Sequence, residues 1–170
     1  MNKSGCSLTW EHFTNKEKPW LVTYVEDRDL WAWKLENSEE INAAISSYEL
    51  DFEVWDKLSA LPLEEVINQG KAILRYKNKQ VNELCKNARK VKINGYEIPI
   101  VNSASLQSEI GNKLSEGNPF ACIWFQRQDG KFIYSLRSKE IDVSKIASKF
   151  LGGGHKLASG FTLDYLIGEK

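Results

Sequence analysis

Three consecutive glycines followed by a histidine, Gly152 to His155, are the residues of this 170-residue chain whose types best suit ligand binding. Glycine lacks a Cβ, so its backbone can take a positive φ and a ligand can approach its N–H groups closely. Successive N–H groups in such a turn favour an anion such as phosphate, and the imidazole can add a donor or a charge near neutral pH. A bare triple glycine is more often a flexible loop, but the longer string Gly-Gly-Gly-His-x-x-Ala-Ser-Gly, which ends at Gly160, is far more specific.

A second group with chemical potential is the acidic cluster Glu26-Asp27-Arg28-Asp29, which follows the apolar run Trp20 to Val25. Carboxylate oxygens at the end of a buried element are typical ligands of a hard divalent cation. The alternative is a solvated charged turn with a local pair between Arg28 and an aspartate, and spacing alone favours that alternative.

The second half of the chain supplies strands that must position the glycines. Alternating apolar residues around Asn94-Gly95 predict a hairpin, and the apolar run Phe120 to Phe125 predicts a strand at the centre of a sheet. A further strand, Lys131 to Arg137, places Tyr134 and Leu136 on one face and Arg137 on the other. A short helix from Val143 to Phe150 and a last strand from Gly160 to Leu163 enclose the glycines.

The first half reads as mostly helical. Helices are predicted for Ser4 to Phe13, Ser38 to Tyr48, Phe52 to Leu58 and Leu63 to Arg89, with Ser38 as an N-cap, whereas Trp20 to Val25 fits either a helix or a buried strand. The predicted fold class is therefore α/β, with a helical N-terminal segment and a long connecting helix before a C-terminal mixed β-sheet with flanking helices. The predicted divisions are residues 1–60, 61–90 and 91–170.

Composition excludes several classes of protein. The 23 basic and 23 acidic side chains balance, which argues against a protein that coats nucleic acid nonspecifically. Three distant cysteines suggest neither a disulfide framework nor a zinc site. The chain shows neither a signal peptide nor a run of about 18 apolar residues, so we expect a cytoplasmic protein without membrane partners. Five of the six tryptophans lie in the first 55 residues, which suggests burial against a partner or a homodimer.

The glycine string resembles the signature of the DHH-associated C-terminal domain, which follows the catalytic domain in DHH-family phosphoesterases such as RecJ-like exonucleases and oligoribonucleases. The stretches Phe120 to Phe125, Lys131 to Ser138 and Ile141 to Ala147 also resemble that domain. The resemblance implies a site for a nucleotide or short oligonucleotide phosphate, formed by these residues: Arg137, Gly152, Gly153, Gly154, His155 and Ser159.

The stretches Lys3 to Trp10 and Pro19 to Trp31 resemble the last third of a DHH catalytic domain. The resemblance implies Mn²⁺ or Mg²⁺ as the cofactor and matches Asp27 to the fourth metal motif, with Asp29 as second choice. The earlier motifs, including the Asp-His-His triplet, would precede Met1, and His12 and His155 are the only histidines. A two-metal site needs several converging ligands, so we expect this chain alone to hold no metal tightly and to lack catalytic activity.

Two functions follow from this resemblance, and the substrate (RNA, DNA, a cyclic dinucleotide or a nucleotide) stays open. The first is a binding module for a nucleotide or oligonucleotide phosphate. The alternative is a phosphodiesterase, of the oligoribonuclease or exonuclease type, that needs a separate N-terminal half from another chain. A third outcome, without a function, is an inactive split-gene remnant. The expectation that the glycines adopt positive φ singles out Gly153→Val as the substitution most damaging to binding.

Overall fold

The computed structural model describes residues 3–168, which divide into two compact units, the first ending at Asn78 and the second beginning at Lys79. The helices of the first part are α1 (Gly5–Phe13), α2 (Trp20–Asp29), α3 (Ser38–Ile45), α4 (Phe52–Ser59) and α5 (Leu63–Lys86), and the boundary falls within α5. The apolar run that begins at Trp20 is therefore helical. Within the described residues, none of the helices is long and apolar enough to cross a bilayer.

The first unit has its own apolar core, which explains part of its tryptophan content. Ile41, Leu58 and Val66 are almost completely buried there, and Trp20 and Trp55 pack partly against them. The Trp20 indole N–H also donates to the Ser59 carbonyl over 3.0 Å. An indole can bury its ring while its N–H keeps a partner, so these tryptophans stabilise helix packing inside the unit.

The second unit is built on a six-stranded mixed sheet with the strand order β1-β2-β3-β4-β6-β5. Its strands are β1 (Arg89–Ile93), β2 (Tyr96–Asn102), β3 (Ala121–Gln126), β4 (Phe132–Arg137), β5 (Gly153–His155) and β6 (Ala158–Leu163). The pair β2–β3 is parallel and the other neighbouring strands are antiparallel. The predicted hairpin is confirmed, because Asn94 (φ 51°) and Gly95 (φ 84°) both take the left-handed conformation that a two-residue hairpin turn requires.

Helices cover both faces of this sheet. On one face, Tyr134, Leu136 and Phe161 pack against helix α7 (Val143–Ser148). On the other face, Val101 and Ile123 pack against the C-terminal part of α5 and against helix α6 (Gln107–Leu114). The predicted α/β class with a mixed sheet and flanking helices is confirmed.

Candidate functional site

Two of the three glycines, Gly153 and Gly154, lie in the edge strand β5 and not in a turn, and Gly152 directly precedes that strand. Strand β5 pairs with β6 so that Gly153 lies opposite Gly160 and His155 opposite Ala158. The Gly152 N–H donates to the Ala147 carbonyl over 3.0 Å. The prediction that these glycines form a turn with a row of free N–H groups is therefore wrong. Hydrogen bonds to α7 and pairing with β6 hold this backbone in a strand. As the outermost strand, β5 still leaves one of its edges unpaired by another strand of the sheet.

Two of the three glycines are required by the packing of the hairpin. A Cβ on Gly152 would lie 2.2 Å from the Gly160 carbonyl oxygen. Gly154 has φ +139°, and its Cβ would lie 2.6 Å from the Cα of Ser159. Gly153 lies outside the positive-φ region, and a Cβ there would meet no heavy atom of the described chain within 4 Å. The expectation that Gly153 needs a positive φ is therefore wrong, and Gly154 is the residue with that requirement.

Strand register brings Arg137 and His155 to the same side of the sheet. Arg137 pairs with Ala158, which in turn pairs with His155. Directly opposed residues of neighbouring strands point to the same side, so the two basic side chains flank a single methyl group. Strands lie about 4.8 Å apart, so the backbones of Arg137 and His155 are separated by about 10 Å.

The next row of the register, Ser135 with Gly160 and Gly153, carries almost no side-chain volume. Apart from His155, the residues of these two rows line an open depression of about 780 Å³, which we call the glycine groove. It is lined in part by Ser135, Arg137, Gly152, Gly153, Ala158 and Gly160. Leu151 and Asp164 also line it. His155 is not a lining residue, but it lies on strand β5 opposite Ala158, which is. Small residues in both rows let a ligand lie close to the backbone of the sheet.

The side chain of Arg137 is half-buried beneath helix α6. Its guanidinium donates to the Ser108 hydroxyl over 3.1 Å and to the Leu136 carbonyl over 2.9 Å. Burial lowers the pKa of Arg137, while the neighbouring Glu109 carboxylate acts in the opposite direction. An arginine remains charged at neutral pH even so, and its guanidinium has five N–H donors, more than these two bonds use.

The remaining residues of the motif take different positions. The His155 side chain is exposed beside the groove. Ser159 is buried on the opposite face, where its hydroxyl donates to the Val143 carbonyl over 2.8 Å. That hydroxyl holds α7 against the sheet, so only the backbone of Ser159 is available to the groove.

Leu151, which sequence analysis did not single out, has an unusual conformation at the end of α7. Its φ is 59°, in the left-handed region, and its side chain is 100% exposed. The Leu151 N–H donates to the Ser148 carbonyl and the Gly152 N–H to the Ala147 carbonyl, the pattern of a helix end that favours glycine at position 151. A leucine there costs on the order of 1–2 kcal/mol relative to glycine. The signal in the sequence is a short helix that ends shortly before the glycines, at Ser148 in the structure.

Asp27, the metal ligand suggested by the resemblance, is buried in the first unit and holds the loop that follows α2. Its Oδ1 accepts from the Lys34 N–H over 3.0 Å, and its Oδ2 accepts from the Leu35 N–H over 3.3 Å and from the Ser38 hydroxyl over 2.6 Å. Burial raises the pKa of Asp27, but these hydrogen bonds outweigh it and keep the pKa below its ordinary value. The prediction that Ser38 is the N-cap of α3 is wrong. The Ser38 hydroxyl donates to Asp27, and Asn37 occupies the N-cap position.

The surroundings of Asp27 do not fit a metal site made from this part of the chain alone. Three donors already point at its two oxygens, and residues 3–168 contain no group of three or more His, Cys, Asp or Glu side chains that could hold a metal ion. The second choice, Asp29, is exposed, and burial and Glu26 raise its pKa while Arg28 lowers it. Asp27 as a metal ligand stays a prediction.

The comparisons with known proteins agree with this architecture. Residues 92–169 match the family model of the DHHA1 domain. The chain is 32% identical, over 99% of its length, to the uncharacterized protein R106 of Acanthamoeba polyphaga mimivirus. It is 40% identical, over 39% of its length, to the oligoribonuclease NrnB of Bacillus subtilis strain 168. The solved structure of the pGpG-specific phosphodiesterase PggH from Vibrio cholerae shares the fold, with a TM-score of 0.51 and 13% identity over 92% of this chain and 67% of that chain.

The second unit is thus an α/β domain whose residues 92–169 match the DHHA1 family model. The chain carries the C-terminal portion of a DHH-family protein, with a DHHA1 domain over residues 92–169. It spans 43% of the length of R106 and 17% of the length of NrnB.

Proposed function

We propose that the glycine groove binds a phosphate group of a nucleotide or short oligonucleotide. The observation that carries this proposal is the register row in which Arg137 and His155 flank Ala158. Two basic residues whose backbones lie about 10 Å apart on the same side of the sheet can approach a phosphate from opposite sides. Arg137 is held by Ser108 and Leu136, so its planar fork is oriented in advance for a charge-assisted contact.

The groove supplies contact with backbone as well as charge. Gly153 and Gly160 face each other in the row next to Arg137 and His155, and both lack a side chain. A phosphate and its sugar can therefore lie on the main chain of β5 and β6. Ser159 contributes through its backbone, since its hydroxyl is committed to Val143. One arginine and one histidine give modest affinity, with a shallow dependence on salt.

The names of the relatives are consistent with this ligand class. NrnB is an oligoribonuclease, and PggH is a phosphodiesterase specific for pGpG, so both names specify a short phosphodiester substrate. We propose that this chain binds the phosphodiester substrate in a reaction of this kind. Mn²⁺ or Mg²⁺, the cofactor implied by the family resemblance, would supply charge neutralisation at the phosphodiester. The groove residues would hold and orient the phosphate of the substrate.

The test is calorimetric titration of 5′-phosphorylated diadenylate into the full chain, the variants His155→Ala and Gly153→Val, and the control His12→Ala. His12 is the other histidine of the chain and lies exposed in α1 of the first unit. Gly153→Val keeps the fold, because Val favours strands and its Cβ enters open space, but its methyl groups occupy the groove. We expect binding at least about tenfold weaker for His155→Ala, since a lost charge-assisted contact is worth about 1.5–3 kcal/mol. Gly153→Val should also weaken binding, because its methyl groups occupy the groove, and the control should keep wild-type affinity.

Equal binding by the wild type and both groove variants would contradict the proposal. NMR chemical-shift changes in the tryptophan-rich first unit, with none in β5 and β6, would contradict it as well. The melting temperature of Gly153→Val shows whether a loss of binding comes from unfolding or from blockage of the groove. We expect that temperature to equal the melting temperature of the wild type.

A further inference from the structure

Leu151 is a wholly exposed leucine held in the left-handed conformation at the mouth of the glycine groove. A second leucine, Leu106, has nearly the same φ, 57°, but packs partly buried against the cluster of Val101, Ile110 and Ile123. The strain at Leu106 is offset by this packing. The exposed side chain of Leu151 gains no comparable burial within the described chain, although glycine would fit the helix end without strain.

We propose that Leu151 contacts the base of the nucleotide whose phosphate lies in the glycine groove. This inference rests on the proposed function and adds to it a residue that senses the base. Leu151 lines the same depression as Arg137 and Gly153. Along the chain, Leu151 comes two residues before Gly153 and His155 two residues after it. The two ends of this stretch are therefore chemically different, one basic and one apolar.

A nucleotide also has two chemically different ends, which match the basic end and the apolar end of this stretch. Its phosphate is anionic and its base has an apolar π-face, so a phosphate between Arg137 and His155 leaves the base to extend towards the apolar end. Apolar side chains are used to hold base faces in nucleotide pockets. Contact with a base also removes the exposed side chain of Leu151 from water, which is the burial that the free protein does not provide.

The experiment compares two probes on the full chain: 5′-phosphorylated diadenylate, and ribose 5-phosphate, which has no base. The variant is Leu151→Gly, which removes the side chain and the strain together. We expect Leu151→Gly to bind the diadenylate about fivefold more weakly, because part of a leucine side chain is no longer buried, and to bind ribose 5-phosphate as the wild type does. Its melting temperature should equal or exceed that of the wild type, whereas that of the matched Leu106→Gly should fall.

Each outcome separates the two proposals. Unchanged affinity of Leu151→Gly for the diadenylate, with normal binding of both probes, overturns the role of Leu151 and leaves the phosphate site intact. Equal weakening for both probes also overturns it, since the effect would then be on the phosphate and not on the base. If the wild type binds neither probe, the proposed function is wrong, and the role of Leu151 is wrong as well.

Discussion

Helix α6 crosses the stem of Arg137 at Gly111, and the two residues are so close that a Cβ on Gly111 would lie 2.5 Å from Arg137 Cγ. The same Cβ would also lie 2.7 Å from Arg137 Cβ and 2.9 Å from Ile123 Cδ1. The helix therefore fixes the direction in which the guanidinium leaves the sheet. The position of the groove's strongest cation depends on the absence of a side chain on a neighbouring helix.

The first prediction concerns this contact. Gly111→Ala should destabilise the second unit by about 1–3 kcal/mol, because overpacking forces the helix or the arginine to move. It should also weaken binding of phosphorylated dinucleotide, since the guanidinium is displaced. Urea unfolding and calorimetry measure the two effects. Gly153→Ala, whose Cβ enters open space, is the matched control for the stability measurement only, and equal stability of the two variants would refute the packing argument.

The second prediction separates two adjacent glycines. Gly154→Ala should lower the free energy of unfolding by at least about 2 kcal/mol, because its positive φ and its contact with Ser159 both resist a Cβ. Gly153→Ala should change stability by less than about 0.5 kcal/mol, as is usual for exposed positions. Thermal melts of both variants test this, and a reversed order would show that β5 does not have the register described.

The third prediction concerns the loop after α2. Asp27→Asn should destabilise the protein by about 2–3 kcal/mol, because an amide replaces a buried carboxylate that accepts three hydrogen bonds. Trp31 and Trp33 lie in this loop with their rings 5.2 Å apart, so tryptophan fluorescence should change as well. Asp29→Asn is the control, because Asp29 is exposed. A full effect of Asp29→Asn with none from Asp27→Asn would contradict this assignment.

The fourth prediction gives the pH dependence of the same residue. The pKa of Asp27 is lower in the folded protein than in the unfolded chain, where it is about 3.9. Its stabilising contribution is therefore complete at neutral pH and declines as the pH falls below about 4 towards the folded-state pKa. The difference in unfolding free energy between wild type and Asp27→Asn should shrink over that window. A difference that stays constant from pH 7 to pH 3 would contradict this account.

The sequence predicted the second unit well because its signals are local. The hairpin at Asn94-Gly95 and the alternation of Tyr134 with Arg137 follow from rules that act over a few residues. The helical first unit was also predictable, but Trp20 to Val25 was ambiguous, since an apolar run of that length fits either element. Its helical form depends on packing against α3, which the sequence does not display.

The candidate site was harder to predict because it depends on register. Neither the pairing of His155 with Ala158 nor the positive φ of Gly154 follows from three identical glycines. The conformation of Leu151 could not be predicted, because it depends on the residue at which α7 ends, and helix ends are difficult to predict from a sequence. The partner of Ser38 could not be foreseen either, since Asp27 lies 11 residues away in another helix.

The three strands of the groove, β4, β5 and β6, follow one another closely in the chain, with helix α7 between β4 and β5, from Phe132 to Leu163. Neighbours in the groove are thus neighbours in sequence, and short loops suffice to close it. Such a segment is suited to open and close as one cooperative unit. A ligand in the groove should consequently slow amide hydrogen exchange across this whole block together, and leave the exchange of the β1–β2 hairpin largely as it was.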